Sequence, residues 1–593
     1  MKKAAILCWN FFILSLCFGV LQESAWGKTR DLVFLAFGDS ITYGVGSSSG
    51  GPETGYPLLL EQKLESAYPG NFISINAGLG GEVTSNAVAR FKTTLDASKP
   101  DLVLLMEGTN DLNMGYSFDN IENNLRSMVL YALNQGKKVI IGTIAPVAYS
   151  PLEQANIAAF NSRIHNIAAD YNIPVARVFE SITSVQGWET SLIDPKTLNH
   201  PNDAGYQVIR DAFFNEVSSL IQSDLLRTGN PVGFSNFDGG AGQTVDILWR
   251  HAVSGQLYTW LMSNSGPFVS SQGSLGTVSS LYWIVKGTDD FNGDGRADIL
   301  WRYAPTGQVY LWLIGPDGKS IIGEGSLGSV DSVDPTEEHN WKIQAVADFD
   351  NDLKADILWR HAITGELSLW QINGTTSVSK NLLGLIAPDW KIIEIADFNN
   401  DGKADILWRH AVTGQLYTWL MSGISAVAMG SPGTVSDLNW QIEQVADFDG
   451  DGQADILWRH ALSGQVYLWL MNGITIASPR SLGLVSDLNW VIRDVADFDG
   501  DGKADILWRH ALSGQLYTWL MDGLSVTSLG SLGTVSDLGW QIKKVTDFNG
   551  DGKADILWRH AVSGQVYLWL MDGITSPSQR SLDLVSDLNW EMK

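Results

Sequence analysis

Cysteine is nearly missing. Cys8 and Cys17 are the only two, and both lie within the first twenty residues, so the rest of the chain can form no disulfide and carry out no thiol chemistry. Basic side chains are outnumbered, 39 against 65 acidic ones, and a formal charge of −26 repels phosphate backbones; nucleic acid is excluded as a partner. Histidine is scarce as well, nine in 593 residues, few enough for each to be accounted for. Long apolar runs are absent except from Ala4 to Val20, which is short for a bilayer span of about 20 residues and is interrupted by Asn10. Lys2 and Lys3 precede that run and Ala25-Trp26-Gly27 follows it, the succession of a secretory signal peptide. Residues 1–27 are therefore expected to be removed, leaving a secreted, extracellular chain, free or associated with the cell surface.

Repetition is what the sequence has in abundance. The string DILWR, or a near copy, places a Trp at 249, 301, 359, 408, 458, 508 and 558, a period near 50 that suits one propeller blade. A second Trp, eleven residues further on, ends an alternating run such as QLYTWLM, the pattern of a half-buried strand. A third, at 283, 341, 390, 440, 490, 540 and 590, opens the segment before each acidic loop. This third set starts after the first DILWR and ends at Trp590, so the array is circularly permuted. A ring accounts for the offset: the terminal NWEMK would complete the first blade, whose own start, GNPVGFSNFDGG, lacks that Trp, and closure removes exposed edges. The expectation is a seven-bladed all-β propeller over residues 236–593, reached by a linker at 226–235, with an open solenoid as the competing architecture. The 21 repeat tryptophans are read chiefly as blade packing.

Each repeat but the first carries an acidic loop, clearest in Asp497-Phe498-Asp499-Gly500-Asp501-Gly502-Lys503-Ala504-Asp505. Oxygen side chains at positions 1, 3, 5 and 9, a carbonyl at 7 and a Gly at 6 for the sharp bend form a cage for a hard cation, suited to calcium with its roughly 6 to 8 oxygens. The candidate ligands, with the position-7 residue acting through its carbonyl, are Asp290, Asn292, Asp294, Arg296 and Asp298; Asp348, Asp350, Asp352, Lys354 and Asp356; Asp397, Asn399, Asp401, Lys403 and Asp405; Asp447, Asp449, Asp451, Gln453 and Asp455; Asp497, Asp499, Asp501, Lys503 and Asp505; and Asp547, Asn549, Asp551, Lys553 and Asp555. These loops hold 21 carboxylates. Left without cations, the like charges in each would cost on the order of several kcal/mol. The first repeat reads NFDGGAGQTVD, with Gly240 where an acid is needed, and is expected to bind nothing. Residues 232–593 resemble the FG-GAP (VCBS) repeats of integrin-type propellers, and the resemblance implies about six structural calcium ions.

Between the leader and the array, the apolar runs LVFLAF, FISIN, DLVLLM, KVIIGTI and PVARVF alternate with helical patterns such as YPLLLEQKLESAY, the βα succession of a parallel sheet covered on both faces. Ligands of such folds bind beyond the carboxyl ends of the strands. Three polar turns converge there: Gly38-Asp39-Ser40, Asn76-Ala77-Gly78-Leu79-Gly80-Gly81 and Gly108-Thr109-Asn110-Asp111. A Ser hydroxyl, Gly N–H groups and an Asn amide are the parts of a nucleophile with an oxyanion hole. A base is needed, and elimination supplies it: six histidines follow the repeats' WR, His339 is in the array, and His165 is mid-helix, which leaves His200 in the loop IDPKTLNHPNDAGY. Residues 31–220 resemble the GDSL, or SGNH, esterases, in which FGDSITYG would present Ser40 as nucleophile, NAGLGG would give Gly81 and GTND Asn110 as oxyanion donors, and HPNDAGY would give His200. The resemblance implies a flavodoxin-like three-layer α/β/α domain over residues 28–225. In that family an Asp stands three residues before the His, where this chain has Thr197; Asp194, three residues earlier, is the candidate orienting acid, with Thr197 or a backbone carbonyl in a Ser-His dyad as the alternative.

The expected function is a secreted carboxylic-ester hydrolase that needs no cofactor for catalysis and acts on an acylated glycan or a lipid, with a calcium-stabilised propeller that binds or targets it to a glycan or cell surface. The competing reading is a non-catalytic protein whose propeller binds a glycan or cell surface. Polysaccharide deacetylase and lysophospholipase or short-chain lipase stay open within the esterases, and a monomer is expected.

Overall fold

Alternating strand residues divide the first part of the chain into two cores. In the computed structural model, which describes residues 27–28, 31–68, 71–135, 137–171, 173–222, 234–239, 244–263, 268–330 and 340–593, the chain runs β1 (Gly27–Lys28), β2 (Asp31–Gly38), α1 (Ser40–Tyr43), α2 (Tyr56–Ala67), β3 (Asn71–Gly78), α3 (Thr84–Ser98), β4 (Leu102–Met106), α4 (Thr109–Asn113), α5 (Phe118–Asn134), β5 (Lys138–Gly142), α6 (Pro151–Tyr171), β6 (Val175–Ala176), α7 (Val178–Thr183), α8 (Trp188–Ser191) and α9 (Asp203–Gln222). Strands β2 to β6 form a parallel sheet in the order β3-β2-β4-β5-β6. Phe34 and Ala36 of β2 face one layer with Leu60 and Leu64 of α2 and Phe213 of α9. Leu35 and Phe37 face the other, against Phe91 of α3, Leu125 of α5 and Phe160 of α6. Three layers follow, as period-2 strands buried on both faces require. Among the described residues no helix is long and apolar enough to cross a membrane. Residues 1–26 of the expected signal peptide, all but the last two residues of the expected linker, and Gly240 lie outside the described residues.

The repeats form seven antiparallel sheets arranged as a closed ring. A typical blade comprises Trp440–Ala446, Asp455–His460, Gln465–Asn472 and Thr475–Leu484, with Trp440 opposite His460 and Ala446 opposite Asp455. In the closing blade the innermost strand is made of two pieces from distant parts of the chain. Trp590, Glu591 and Met592 pair with His251, Arg250 and Trp249, the Lys593 amide donates to Leu248 O at 2.9 Å, and Phe234 and Ser235 continue the pairing against Ile247 and Asp246. The linker expectation thus ends on two residues that belong to the ring's sheet.

The recurring DILWR is explained by contacts between neighbouring blades. Each Arg guanidinium lies over the Trp of the next blade, 5.0 to 5.3 Å from the ring centroid, from Arg250 over Trp301 round to Arg559 over Trp249, which closes the circuit. Several also donate to the first residue of the neighbour's inner strand, as Arg509 does to Trp540 O at 2.8 Å. The seven DILWR tryptophans are fully buried. Each packs on the second Trp of its own blade, 5.0 Å away for Trp458 and Trp469. In five of the six acidic loops the terminal Asp is a backbone staple: Asp455 accepts Met471 N at 2.8 Å and Phe448 N at 2.9 Å, joining its loop to the adjoining hairpin.

The ring grips the rear of the α/β domain. Lys342, on the inner strand Trp341–Ala347, places its Nζ 2.9 Å from Glu61 Oε1, 3.0 Å from Glu65 Oε1 and 3.1 Å from Phe72 O. Asn71 donates to Ile343 O at 2.8 Å, and Lys593 Nζ to Ser66 O at 2.8 Å. These groups are the second half of α2 and the first residues of β3, so the ring covers edge strand β3 at its amino end. The carboxyl ends of the strands point the other way. Strand β1 also pairs with the inner strand, Lys28 opposite Ala345.

Candidate active site

Strand β2 stops where only glycine fits. A Cβ on Gly38 would overlap Thr42 Oγ1 and Met106 O, and the chain turns there into the single-turn helix α1, with Asp39 accepting Ile41 N at 2.9 Å. That turn presents Ser40, whose Oγ lies 2.9 Å from His200 Nε2. Gly81, at φ +77, is in the left-handed region that glycine adopts without penalty, and it follows the end of β3. Asn110 is the second residue of α4, after β4; its Nδ2 donates one hydrogen to Glu82 O at 2.9 Å, leaving the second available. Asp111 beside it accepts Thr84 N at 2.8 Å and Thr84 Oγ1 at 2.7 Å, tying this turn to the start of α3, a part that nothing in the sequence pattern assigns to it.

His200 sits at the end of a closed excursion. Ile193 pairs with Pro201 and the Asp194 amide donates to His200 O at 2.8 Å, so the chain leaves and returns at one place, with Leu198 in the left-handed region at φ +58. The Asp194 carboxylate does not reach the imidazole. It accepts Thr197 Oγ1 at 3.0 Å and Lys196 N at 3.3 Å, and the buried His200 Nδ1 has no hydrogen-bond partner among the described residues. Burial lowers the imidazole's affinity for a proton, and the charge of Asp194 opposes that effect. His165 lies elsewhere, on α6, with Nε2 3.1 Å from Glu180 Oε1.

Of the six acidic loops, three bring three carboxylates together: Asp348, Asp350 and Asp356; Asp447, Asp449 and Asp455; and Asp497, Asp499 and Asp505 each have oxygens within 4.8 Å of one another. The other three carry Asn292, Asn399 and Asn549 at position 3. In the Asp447 loop, Gly450 N and Gly452 N each donate to Asp447 at 2.7 Å, wrapping the backbone round the acid. Burial, reinforced by the neighbouring acids, pushes Asp356, Asp455 and Asp505 up to about 8. Such a donor set, all oxygen and crowded with like charge, fits a hard divalent cation. Yet Asp246, in the first blade, makes the same two backbone bonds, from Met262 N at 2.7 Å and Phe237 N at 2.8 Å, in a loop whose only other acid is Asp238 and which lacks those at the first and fifth positions. The last Asp of the loop is therefore a fold determinant as well as a candidate ligand.

Comparison with known proteins places residues 36–208 with the GDSL-like lipase/acylhydrolase family, and residues 290–359, 348–408 and 415–508 with the FG-GAP-like repeat. Esterase TesA of Pseudomonas aeruginosa is 30% identical over 178 residues, which cover 30% of this chain and 84% of that protein. An acetylxylan esterase of Geobacillus stearothermophilus is 27% identical over 216 residues, covering 32% of this chain and 95% of the other. A solved structure of a lipolytic protein of the G-D-S-L family from Veillonella parvula is 20% identical and covers 32% of this chain and 98% of its own, with a TM-score of 0.28.

Proposed function

The chain belongs to the GDSL-like lipase/acylhydrolase family and carries a seven-bladed FG-GAP propeller, and on that premise we propose that it is a secreted serine esterase whose site is built from Ser40, His200, Gly81 and Asn110. The 2.9 Å approach of Ser40 Oγ to His200 Nε2 is the observation that carries this reading. His200 takes the Ser40 proton as Oγ attacks the ester carbonyl, then delivers it to the leaving alcohol; water repeats the sequence on the acyl-enzyme and releases the acid. The Ser40 and Gly81 N–H groups and the free Asn110 hydrogen receive the oxyanion. Asp194 is the proposed acid, acting by its charge, with Thr197 holding its carboxylate. The experiment is turnover of p-nitrophenyl acetate by the full chain. Turnover that Ser40→Ala abolishes supports the esterase; none in the native protein returns it to the class of binding proteins.

For substrate we propose acetyl or other short acyl esters carried on a glycan, supported by the acetylxylan esterase that this chain nearly spans. Acetylated xylan and p-nitrophenyl esters of increasing chain length, assayed side by side, decide it; a preference for long chains reassigns the enzyme to lipid esters. The leader sequence supports export, and a monomer is proposed for gel filtration to test. Calcium is proposed for the six loops through oxygen sets such as Asp497, Asp499, Asp501 and Asp505, where it would neutralise crowded carboxylates and brace the blade ends. A chelator should lower the melting temperature of the propeller well below that of the α/β domain, and an unchanged melt with metal verified absent would rule the ions out.

A further inference from the structure

We propose that Arg90, which lies outside every motif, is a positioning residue for the oxyanion site, acting through Glu82 and backbone carbonyls without touching substrate. The proposal rests on the esterase reading above. Arg90 is on α3, yet its guanidinium bonds directly to the segments that supply Ser40 and Gly81 and is linked to that of Asn110 through Glu82. Nη1 donates to Ala77 O at 2.8 Å, on the strand end that leads to Gly81, and Nη2 to Gly38 O at 3.3 Å, two residues before Ser40. Gly38 O also accepts Leu79 N at 2.9 Å, so the first two turns meet at one carbonyl that Arg90 holds. Nε lies 2.9 Å from each oxygen of the buried Glu82 carboxylate. Glu82 adjoins Gly81, and its own carbonyl fixes the Asn110 amide at 2.9 Å. The guanidinium rests on Phe37, 3.9 Å from the ring centroid, and stands 4.0 Å from the buried Glu107.

Five hydrogen bonds in several directions from one planar group, the fifth from Nη2 to Glu82 Oε2, are what a guanidinium supplies and an ammonium does not. Lysine at this position keeps the positive charge opposite Glu82 and Glu107 but loses the fork. The Gly81 amide and the Asn110 side chain are then held less firmly relative to Ser40, which weakens oxyanion binding while leaving the nucleophile and base in place.

The test compares the full-length native chain with Arg90→Lys, Glu82→Gln and, as control, Ser40→Ala. Diethyl p-nitrophenyl phosphate titrates the reactive serine, so its p-nitrophenol burst counts competent sites. With Arg90→Lys we expect a native burst, a melting temperature near native, a kcat per competent site lower by about 10- to 100-fold and a KM for p-nitrophenyl acetate within about threefold. The rate of inactivation by the phosphate ester should fall with kcat. Should Arg90→Lys fold poorly, Glu82→Gln, which preserves size and one of the two acceptor oxygens, makes the same comparison. An unchanged kcat per site overturns the proposal, as does a loss confined to the number of titratable sites, which would mark a purely structural role. A native protein with neither burst nor turnover overturns the esterase reading itself.

Discussion

In the α/β domain each site residue occurs once; in the propeller each structural device occurs many times over. Ser40 has one imidazole partner, His200, and the pair is not repeated among the described residues of its domain. The Arg-on-Trp contact, by contrast, is made seven times round a closed ring. Some repeated elements even imitate catalysis. Ser463 Oγ lies 2.9 Å from His460 Nδ1, and His460 Nε2 lies 3.0 Å from Asp437, a Ser-His-Asp succession with the ring nitrogens reversed. It recurs at Ser513, His510 and Asp487 and at Ser563, His560 and Asp537, and it fastens a turn to the segment before the inner strand. Chemistry concentrates in a unique arrangement, whereas stability is spread over copies, so a single substitution should be decisive in one half and fractional in the other.

The largest effect should come from Ser40→Ala, which we expect to lower kcat on p-nitrophenyl acetate by at least about 10⁴-fold while the melting temperature stays near native. Residual turnover of a few per cent would break the comparison and direct attention to the serines of the ring. Next is Lys342→Met, which removes the cation that Glu61 and Glu65 share in the interface and leaves Glu65 with Lys286, 3.9 Å away; the loss should be about 2 to 3 kcal/mol, read from the denaturant midpoint of the full chain. A change of a few tenths would mean that the two halves are merely adjacent. Asp194→Asn should cost about 10- to 100-fold in kcat/KM, less than for an acid bonded directly to the imidazole. Its charge favours protonated His200 against burial, so removing it should carry the acid limb of the pH profile to lower pH. A limb that moves upward, or a loss found only with Thr197→Val, would refute the assignment. The smallest effect belongs to the ring: Arg509→Lys should cost about 0.5 to 2 kcal/mol, and the same change at Arg409 a similar amount, the two adding. Wholesale unfolding by either would show that the copies do not share the load.

Periodicity made the ring legible, because the offset of Trp590 from the first DILWR has no other simple explanation. The other piece of the closing strand was not legible: Phe234 and Ser235 are too few to show alternation, and only the ring's closure brings them into line with Met592. Asp246 is a signal easily missed, since an Asp that persists in a loop that has lost two of its other acids argues for a bond to backbone as well as to metal. In the α/β domain the turns around Ser40, Gly81 and Asn110 and the loop of His200 were readable as motifs. Where the Asp194 carboxylate points was not, because the hydroxyl of Thr197 and the backbone at Leu198 settle it. Arg90 and Glu82 carry no local pattern; a long side chain crossing between strand ends becomes visible only when those ends are assembled.

The docking of α2 and the amino end of β3 on the ring has a consequence for traffic. Ser40 opens at the opposite end of the sheet, roughly 25 Å away for an eight-residue strand at about 3.3 Å per residue. The ring is thus a pedestal and not a lid. A bulky polymer can approach the mouth of the enzyme without passing the blades, and anything that holds the pedestal by its far rim leaves that mouth facing outward.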